Sequence, residues 1–200
     1  MSVVEVLEPA PAALRSDRGE LLPLHVERWF AEPSPAEREL LALAPGPVLD
    51  VGCGPARHTL ALVASGVPAL GVDVSPGAVR VARRRGAPVL HRSIFERLPD
   101  EGSWGSALLL DGNVGIGGDP EGLLARIRGL LRAGGRALVE VERPGTPTGT
   151  RLVRFEGHGD VWFPWARVGA DHLGALSRRA GFAAASLWTA EGRWFGRLDR

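Results

Sequence analysis

The sequence predicts an α/β fold, a single doubly wound domain built on a mostly parallel sheet. Short apolar runs alternate with segments of helical spacing over most of the chain after residue 47. The glycine turn Gly52-Cys53-Gly54 lies between the first run, 47–51, and the first helical segment. A strand, a glycine turn and a helix in this order are how an open α/β sheet holds a nucleotide-like ligand at the carboxyl ends of its strands.

Each element of the predicted sheet has its own signal. The apolar runs predict strands at 47–51, 68–72, 88–92, 106–110 and 135–142. Helical spacing predicts helices near 56–65, 76–85, 120–133 and 170–180, with glycines at the expected C-caps. Ser75-Pro76 and Asp119-Pro120 each pair an N-cap residue with a proline at the first helical position. This alternation indicates a parallel sheet with right-handed crossovers.

The C-terminal end is patterned differently. Residues 182–189 and 193–198 predict two strands joined by a hairpin loop that contains Gly192. Residues 144–169 are the least regular part of the chain, but 151–156 and 161–165 flank a glycine-containing loop and suggest another hairpin.

The N-terminal segment predicts helices. Residues 1–18 are rich in Ala, Pro and Glu and are expected to fray. Apolar residues at helical spacing then form one stripe: Leu22, Val26, Trp29 and Phe30. Ser34-Pro35-Ala36-Glu37 reads as a capping box that starts a second helix through Leu43. We therefore divide the chain into an N-terminal extension with cap helices, 1–46, and a ligand-binding domain, 47–200.

Composition bounds the function. The net charge of +1 in 200 residues gives no strong field toward nucleic acid or membrane, and no basic leader precedes an apolar run, so we expect a cytoplasmic protein. The single Cys53 excludes an internal disulfide, and five scattered histidines make a metal site improbable. All 24 basic residues are arginines and tyrosine is absent, so neither Lys nor Tyr can act as a base.

Two acids indicate the ligand. A dinucleotide turn needs a third glycine where this chain has Arg57. Asp50 beside the turn would repel a pyrophosphate but suits an ammonium group, although an Asp there also caps turns through its own backbone. Asp73 follows by roughly 20 residues, the offset of an acid that hydrogen-bonds ribose hydroxyls. S-adenosylmethionine has a ribose, an ammonium and no phosphate.

The chain resembles the class I S-adenosylmethionine-dependent methyltransferases. The resemblance rests on Leu-Asp-Val-Gly-Cys-Gly-Pro-Ala-Arg (49–57), Gly-Val-Asp-Val-Ser (71–75) and Leu-Leu-Arg-Ala-Gly-Gly-Arg (130–136), and runs from about residue 47 to the end. Gly-Asn-Val-Gly-Ile-Gly-Gly-Asp-Pro (112–120) and Gly-Arg-Trp-Phe-Gly-Arg-Leu (192–198) look like a bacterial, actinobacterial subgroup. The family implies a Rossmann-like, seven-stranded sheet whose final strand is antiparallel.

The resemblance also implies a cofactor site. Its residues are Asp50, Gly52, Cys53, Gly54, Asp73, Val74, Ser93, Ile94, Asp111 and Gly112. The chain departs from the family at Ser93, where an Asp often meets the adenine, at Ala56, where a third glycine is frequent, and at Gly105, where an acid is frequent. Alanine at 56 is expected to need a negative φ. These departures leave room for weak cofactor affinity.

The acceptor side is assigned to three residues, namely Trp29, Asn113 and Trp165. The two tryptophans suit the wall of an apolar acceptor pocket, although both would equally seal the core beneath their loops. No catalytic residue is assigned, because methyl transfer to an amine, thiol or carbon can proceed without a base from the protein, whereas a hydroxyl often requires one. His25, His158 and His172 are the candidates for a hydroxyl acceptor, and a lone histidine is more often structural or solvated.

The resulting prediction is a methyltransferase that acts on a small-molecule acceptor, without nucleic-acid or membrane partners and with an oligomeric state that the sequence does not indicate. A non-catalytic S-adenosylmethionine-binding protein is the alternative that Ser93 and Ala56 favour. An NAD(P)-dependent oxidoreductase is disfavoured by Asp50, Arg57 and the final hairpin.

Overall fold

A computed structural model describes residues 13–157 and 160–200. Its main element is a seven-stranded sheet in the order β10-β11-β7-β6-β3-β4-β5. The strands are β3 (Val48–Val51), β4 (Ala69–Asp73), β5 (Val89–His91), β6 (Trp104–Leu109), β7 (Leu131–Val141), β10 (Ala184–Ala190) and β11 (Arg193–Asp199). The five strands from β3 to β7 are parallel, and β11 runs antiparallel to both β7 and β10. The predicted fold class, including the antiparallel strand near one edge, is confirmed.

Helices connect the parallel strands. They are α3 (Arg57–Ala64), α4 (Pro76–Arg84), α5 (Pro120–Leu130) and α6 (Ala170–Arg179). The Ser75 hydroxyl accepts from the Ala78 backbone N–H, and Asp119 accepts from Gly122, so both predicted N-caps are confirmed. The predicted α/β elements lie within a few residues of the observed ones, because each has a local start and stop signal.

A second, smaller sheet has the order β2-β1-β8-β9. It joins β1 (Ala13–Ser16) and β2 (Leu21–Pro23) from the N-terminal segment to β8 (Gly149–Phe155) and β9 (Phe163–Arg167) from the irregular segment. The predicted hairpin in that segment is confirmed by the antiparallel register of β8 and β9. Pairing of β1 with β8 ties the N-terminal segment to the segment that follows β7.

The N-terminal predictions are partly wrong. Residues 13–16 form a strand rather than a frayed end, and Leu22 lies in β2 rather than on a helix. The helical stripe is reduced to the short helix α1 (Val26–Phe30), with Val26 buried and Phe30 exposed. Pairing of β2 with β1 overrides the local periodicity. Helix α2 (Pro35–Ala42) begins at Ser34 with both hydrogen bonds of the predicted capping box.

The core lies on both faces of the main sheet. One face packs against α5 and α6 through a cluster that includes Leu123, Ile127 and Leu173. The other face packs against α2 and α3 through Leu40 and Leu62. Within the described ranges, no helix is long and apolar enough to cross a membrane. The carboxyl ends of the parallel strands therefore meet at one edge between these two helical layers, where the acids and glycines of the motifs gather.

Candidate active site

Asp73 closes the glycine turn. Its Oδ2 accepts the backbone N–H of Gly54 at 2.9 Å, and its Oδ1 accepts that of Ser75 at 2.7 Å. Gly52 and Gly54 have φ angles of 67° and 55°, the left-handed region that side chains disfavour. Burial raises the pKa of Asp73. Because each carboxylate oxygen can accept a further hydrogen bond, Asp73 can hold the turn and still accept from two ligand hydroxyls.

Asp50 lies behind the turn. Its side chain is 2% exposed, and Oδ2 accepts the hydroxyl of Thr59 on α3 at 2.7 Å. Burial raises the pKa of Asp50. This carboxylate therefore ties β3 to α3, and its contact with a ligand ammonium stays a prediction. Thr59 was not singled out in the sequence, because a threonine in an apolar helical segment carries no signal of its own.

Cys53 fills the space beneath the turn. A Cβ on Gly71 of the neighbouring strand would lie 2.6 Å from its Sγ, so the thiol needs a glycine opposite it. Burial raises the pKa of Cys53 well above its ordinary value, and the nearby Asp50 and Asp73 add to the effect. The thiol is consequently a packing group rather than a nucleophile.

Ala56 contradicts an expectation. It has a φ of 67°, left-handed rather than negative, although it carries a Cβ. Its backbone N–H donates to the Cys53 carbonyl at 2.8 Å, and the side chain is completely buried next to Val79 and Ala82. The tight turn therefore imposes the conformation that a glycine would adopt freely, at the energetic cost of a Cβ in the left-handed region.

An exposed apolar surface flanks Asp73. Val74 is 66% exposed and Phe95 is 49% exposed, at the ends of β4 and beyond β5. A Cβ on Gly117 would lie 2.9 Å from the Phe95 ring, so this ring borders the loop after β6. Two exposed apolar side chains beside a carboxylate suit a flat, uncharged ring system attached to a ribose. The sequence analysis did not predict Phe95 as a site residue. The one signal for it was its position two residues after Ser93.

Ser93 and Ile94 connect these surfaces. The Ser93 hydroxyl accepts the Phe95 N–H at 3.3 Å, and the Ser93 N–H donates to Glu96 at 2.7 Å. The Ile94 side chain is buried, and its carbonyl accepts from Arg126 at 3.0 Å. Only the backbone of Ile94 is therefore available at this edge, whereas the Ser93 hydroxyl can still donate a hydrogen bond.

The end of β6 carries Asp111 and Gly112, both left-handed with φ angles of 53° and 81°. The Nη2 of Arg57 donates to both Asp111 oxygens at 2.9 Å, and the Asp111 N–H donates to Glu140 at 2.7 Å. Arg193 lies 3.4 Å from the same carboxylate. Arg57, Glu140 and Arg193 were not predicted as site residues, because their pairing is set by the tertiary fold.

Asn113 binds the glycine turn itself. Its side-chain amide donates to the carbonyls of Val51 and Gly52 at 2.8 and 3.0 Å. The predicted acceptor-side residue is thus a clamp between the loop after β6 and the turn after β3. The side-chain NH2 of Asn113 already donates both of its hydrogen bonds to the protein. The side-chain carbonyl oxygen is the group that remains for a ligand.

Trp165 packs on the loop after β6. It forms a bridge with Ile116, and a Cβ on Gly115 would lie 2.8 Å from the indole nitrogen. Its ring meets Phe163 edge-on at 6.3 Å. The ring is half-buried, so it neither lies wholly in the core nor projects freely. The small sheet therefore contacts the same loop that holds Asn113 against the glycine turn.

The other predicted residues are less informative. Trp29 is half-buried on α1. His25 lies 3.4 Å from Glu27, and His172 lies 3.2 Å from Asp171, both on the surface. His158 lies outside the described residues. Among the described residues, no group of three or more His, Cys, Asp or Glu side chains could hold a metal ion.

A comparison with protein families identifies the central segment. Residues 48–135 match the family described as "Methyltransferase domain". This segment is similar to a methyltransferase domain. It contains the glycine turn, Asp73, Ser93, Asp111 and the clamp residue Asn113.

Solved structures share the fold of this chain. A SAM-dependent methyltransferase from Bacteroides fragilis, solved with S-adenosyl-L-homocysteine, is 23% identical over 98% of this chain and 92% of its own, with a TM-score of 0.78. The 1,6-didemethyltoxoflavin-N1-methyltransferase of Burkholderia thailandensis is 22% identical over 88% and 83%, with a TM-score of 0.63. CcbJ methyltransferase from Streptomyces caelestis is 20% identical over 84% and 96%, with a TM-score of 0.61.

Proposed function

We propose that this protein is an S-adenosylmethionine-dependent methyltransferase with a small-molecule acceptor. The observation that carries the proposal is Asp73, which ends β4, closes the glycine turn and lies next to the exposed Val74. A carboxylate and an apolar surface in this arrangement fit a ribose and an adenine. The match of residues 48–135 to a methyltransferase domain supports the same cofactor.

The side chains present fit a reaction that asks for alignment rather than for acid–base catalysis. The bound cofactor would supply an activated methyl group on a sulfonium centre. Asp73 would bind the ribose, Val74 and Phe95 would pack on the adenine, and Asp111 and Gly112 would border the methionine part. The protein's own contribution is to align the acceptor with the methyl group and to exclude water.

The acceptor is proposed to lie between the loop after β6 and the small sheet. Trp165 and Trp29 are the proposed apolar walls, and the Asn113 carbonyl oxygen is the proposed polar contact. The B. thailandensis neighbour was solved with 1,6-didemethyltoxoflavin bound, so a small molecule is methylated on this fold elsewhere. Residues 47–200 would form the methyltransferase domain and residues 1–46 an N-terminal extension, of which α1 with Trp29 would cover the acceptor side.

We further propose a cytoplasmic bacterial enzyme of an actinobacterial subgroup. The support is the sequence of the loop at 112–120 and of the final hairpin at 192–198. The net charge of +1 argues against nucleic acid or a membrane surface as a partner.

The test is turnover with methyl-labelled S-adenosylmethionine and a panel of small amines, thiols, phenols and heteroaromatic compounds. The proposal expects label on at least one acceptor class, with S-adenosylhomocysteine formed in equal amount. Tight binding of S-adenosylmethionine with no transfer to any class would favour the non-catalytic binding protein. Binding of NAD in place of S-adenosylmethionine would instead favour an oxidoreductase.

A further inference from the structure

A buried group of charges connects the N-terminal segment to the site. We call it the Glu37 cluster; it consists of Glu37, Arg57, Asp111, Glu140 and Arg193. Its members come from α2, α3, the ends of β6 and β7, and the start of β11. The cluster therefore joins the N-terminal extension to the loop that follows β6.

Glu37 is the centre of the cluster. Its two oxygens accept both terminal nitrogens of Arg57, at 2.6 and 2.7 Å, and Nη1 of Arg193 at 2.6 Å. Its side chain is 1% exposed. Burial opposes the ionised form, but His58 and the two arginines hold the pKa of Glu37 well below its ordinary value. A carboxylate this buried stays ionised because His58 and both guanidinium groups face it.

The same two arginines continue to the site. Arg57 donates to both Asp111 oxygens, and Arg193 donates to Glu140 at 2.9 and 2.6 Å. Glu140 in turn accepts the Asp111 backbone N–H. Asp111 thus has its side chain and its backbone held by partners that Glu37 orients.

Asp111 and Glu37, at opposite ends of this series of hydrogen bonds, differ in solvent exposure. The side chain of Asp111 is 24% exposed, more than that of any other member of the cluster, whereas Glu37 does not reach the surface. Asp111 also has the left-handed φ of 53°, which an aspartate adopts only with support from its surroundings. Among the side chains of the cluster, Asp111 is therefore the one best placed to meet a ligand.

The carboxylates outnumber the guanidinium groups within the cluster, three to two. His58 lies 3.6 Å from Glu37, and its Nε2 has no hydrogen-bond partner among the described residues. The five side chains of the cluster therefore carry a net negative charge beside the end of β6. Such a charge favours a cationic ligand at the exposed Asp111.

We propose that Glu37 is a positioning residue: through Arg57 and Arg193 it fixes the Asp111 carboxylate at the site and so sets the affinity for the cationic cofactor. The proposal rests on the proposed function, since it takes S-adenosylmethionine as the ligand that meets Asp111. It assigns to the capping-box glutamate of α2 a second role beyond helix capping.

The experiment is a double-mutant cycle with Glu37→Gln and Asp111→Asn, read by calorimetric titration of S-adenosylmethionine. Each single variant is expected to weaken binding about tenfold, and the double variant to bind within about threefold of Asp111→Asn alone, because Glu37 acts through Asp111. Additive losses, or unchanged binding in Glu37→Gln, would overturn the proposal. Absence of binding to the unaltered protein would instead refute the proposed function.

Ser34→Ala is the matched control. It removes the hydroxyl that accepts the Glu37 N–H in the capping box and leaves every charge of the cluster in place. Binding within about twofold of the unaltered protein is expected, at a small cost in stability. A tenfold loss in Ser34→Ala would mean that capping of α2, not the cluster, determines affinity. If Glu37→Gln does not fold, Glu37→Asp replaces it in the double-mutant cycle, because this substitution keeps the negative charge but shortens the side chain by one methylene group.

Discussion

The side-chain amide of Asn113 donates to the Gly52 carbonyl at 3.0 Å, and a Cβ on Gly52 would lie 2.8 Å from the same nitrogen. The loop after β6 therefore touches the glycine turn where a side chain has no room. This contact fixes the distance between two elements of the proposed site. Position 52 therefore requires glycine for two reasons, the left-handed φ of 67° and the lack of space for a Cβ beside Asn113.

Gly52→Ala and Gly54→Ala are expected to fail in different ways. Both put a Cβ on a left-handed residue, at a cost of about 1–2 kcal/mol each. The Cβ at 52 also meets Asn113 and Ile116, whereas no atom of the described protein lies within 4 Å of the Cβ at 54. Thermal unfolding should therefore show Gly52→Ala as the less stable variant.

The open space beside Gly54 has a second consequence. If the cofactor passes there, Gly54→Ala should weaken S-adenosylmethionine binding more than its effect on stability implies. Equal stability of the two variants would contradict the Asn113 clamp. Unchanged cofactor affinity in Gly54→Ala would contradict the placement of the ligand over the turn.

Ala56→Gly should preserve or raise stability. The substitution releases the strain of a left-handed alanine, about 1 kcal/mol, and offsets the loss of one buried methyl group. The matched variant Ala61→Gly lies within α3, and its free energy of unfolding should fall by about 1 kcal/mol. Urea unfolding of both compares them directly. A larger loss at position 56 than at position 61 would show that the methyl group matters more than the strain.

The acid sensitivity of the fold should depend on Glu37. Its pKa is lowered in the folded chain from an ordinary value of 4.5, so its contribution to stability is present above that pH and is lost as the pH falls below it. Asp50 and Asp73 have raised pKa values and act in the opposite direction, losing their contribution as the pH rises.

The difference in the free energy of unfolding between the unaltered protein and Glu37→Gln isolates the contribution of this glutamate. At pH 7 the variant should be less stable by about 3 kcal/mol, the cost of breaking a buried ion pair. Urea unfolding from pH 7 to pH 3 should show this gap narrowing below about pH 4.5, where unfolded Glu37 takes up a proton. A gap that stays constant across this range would mean that Glu37 is not held ionised by its arginines.

Trp165→Ala tests the acceptor wall. The indole packs on Phe163 and on the loop after β6, so cofactor affinity should stay within about twofold while KM for the acceptor rises about tenfold. Trp162→Ala is the control, because that ring is exposed and contacts Arg154. A large fall in melting temperature with unchanged KM would assign Trp165 to the core instead.

The α/β elements could be predicted because their signals are local. The capping box at Ser34, the N-cap at Ser75 and the hairpin before Arg193 all depend on residues within a few positions of one another. The two acids Asp50 and Asp73 were found in the same way, since each ends or nearly ends an apolar run. Asp50 nonetheless turned out to face Thr59, because sequence does not show which face of the turn a side chain takes.

The missed ion pairs and the pairing of the small sheet are non-local. Arg193 and Glu37 pair across 156 residues, and β1 pairs with β8, which lies more than 130 residues further along the chain. Such contacts follow from how finished elements pack and not from spacing. Ala56 was misjudged for the opposite reason: the residue's own preference predicts negative φ, and the turn around it overrides that preference.

The central claim is that Asp73 and the glycine turn bind S-adenosylmethionine. Calorimetric titration of the unaltered protein and of Asp73→Ala with S-adenosylmethionine, S-adenosylhomocysteine and NAD tests it most directly. Asp17→Ala, at an exposed turn, is the control. The account predicts that the unaltered protein binds both adenosyl compounds and does not bind NAD. Folded Asp73→Ala, but not Asp17→Ala, should lose about 1.5–3 kcal/mol of binding free energy, because hydrogen bonds to a charged group are removed. Equal affinity in folded Asp73→Ala, or binding of NAD alone, would contradict it.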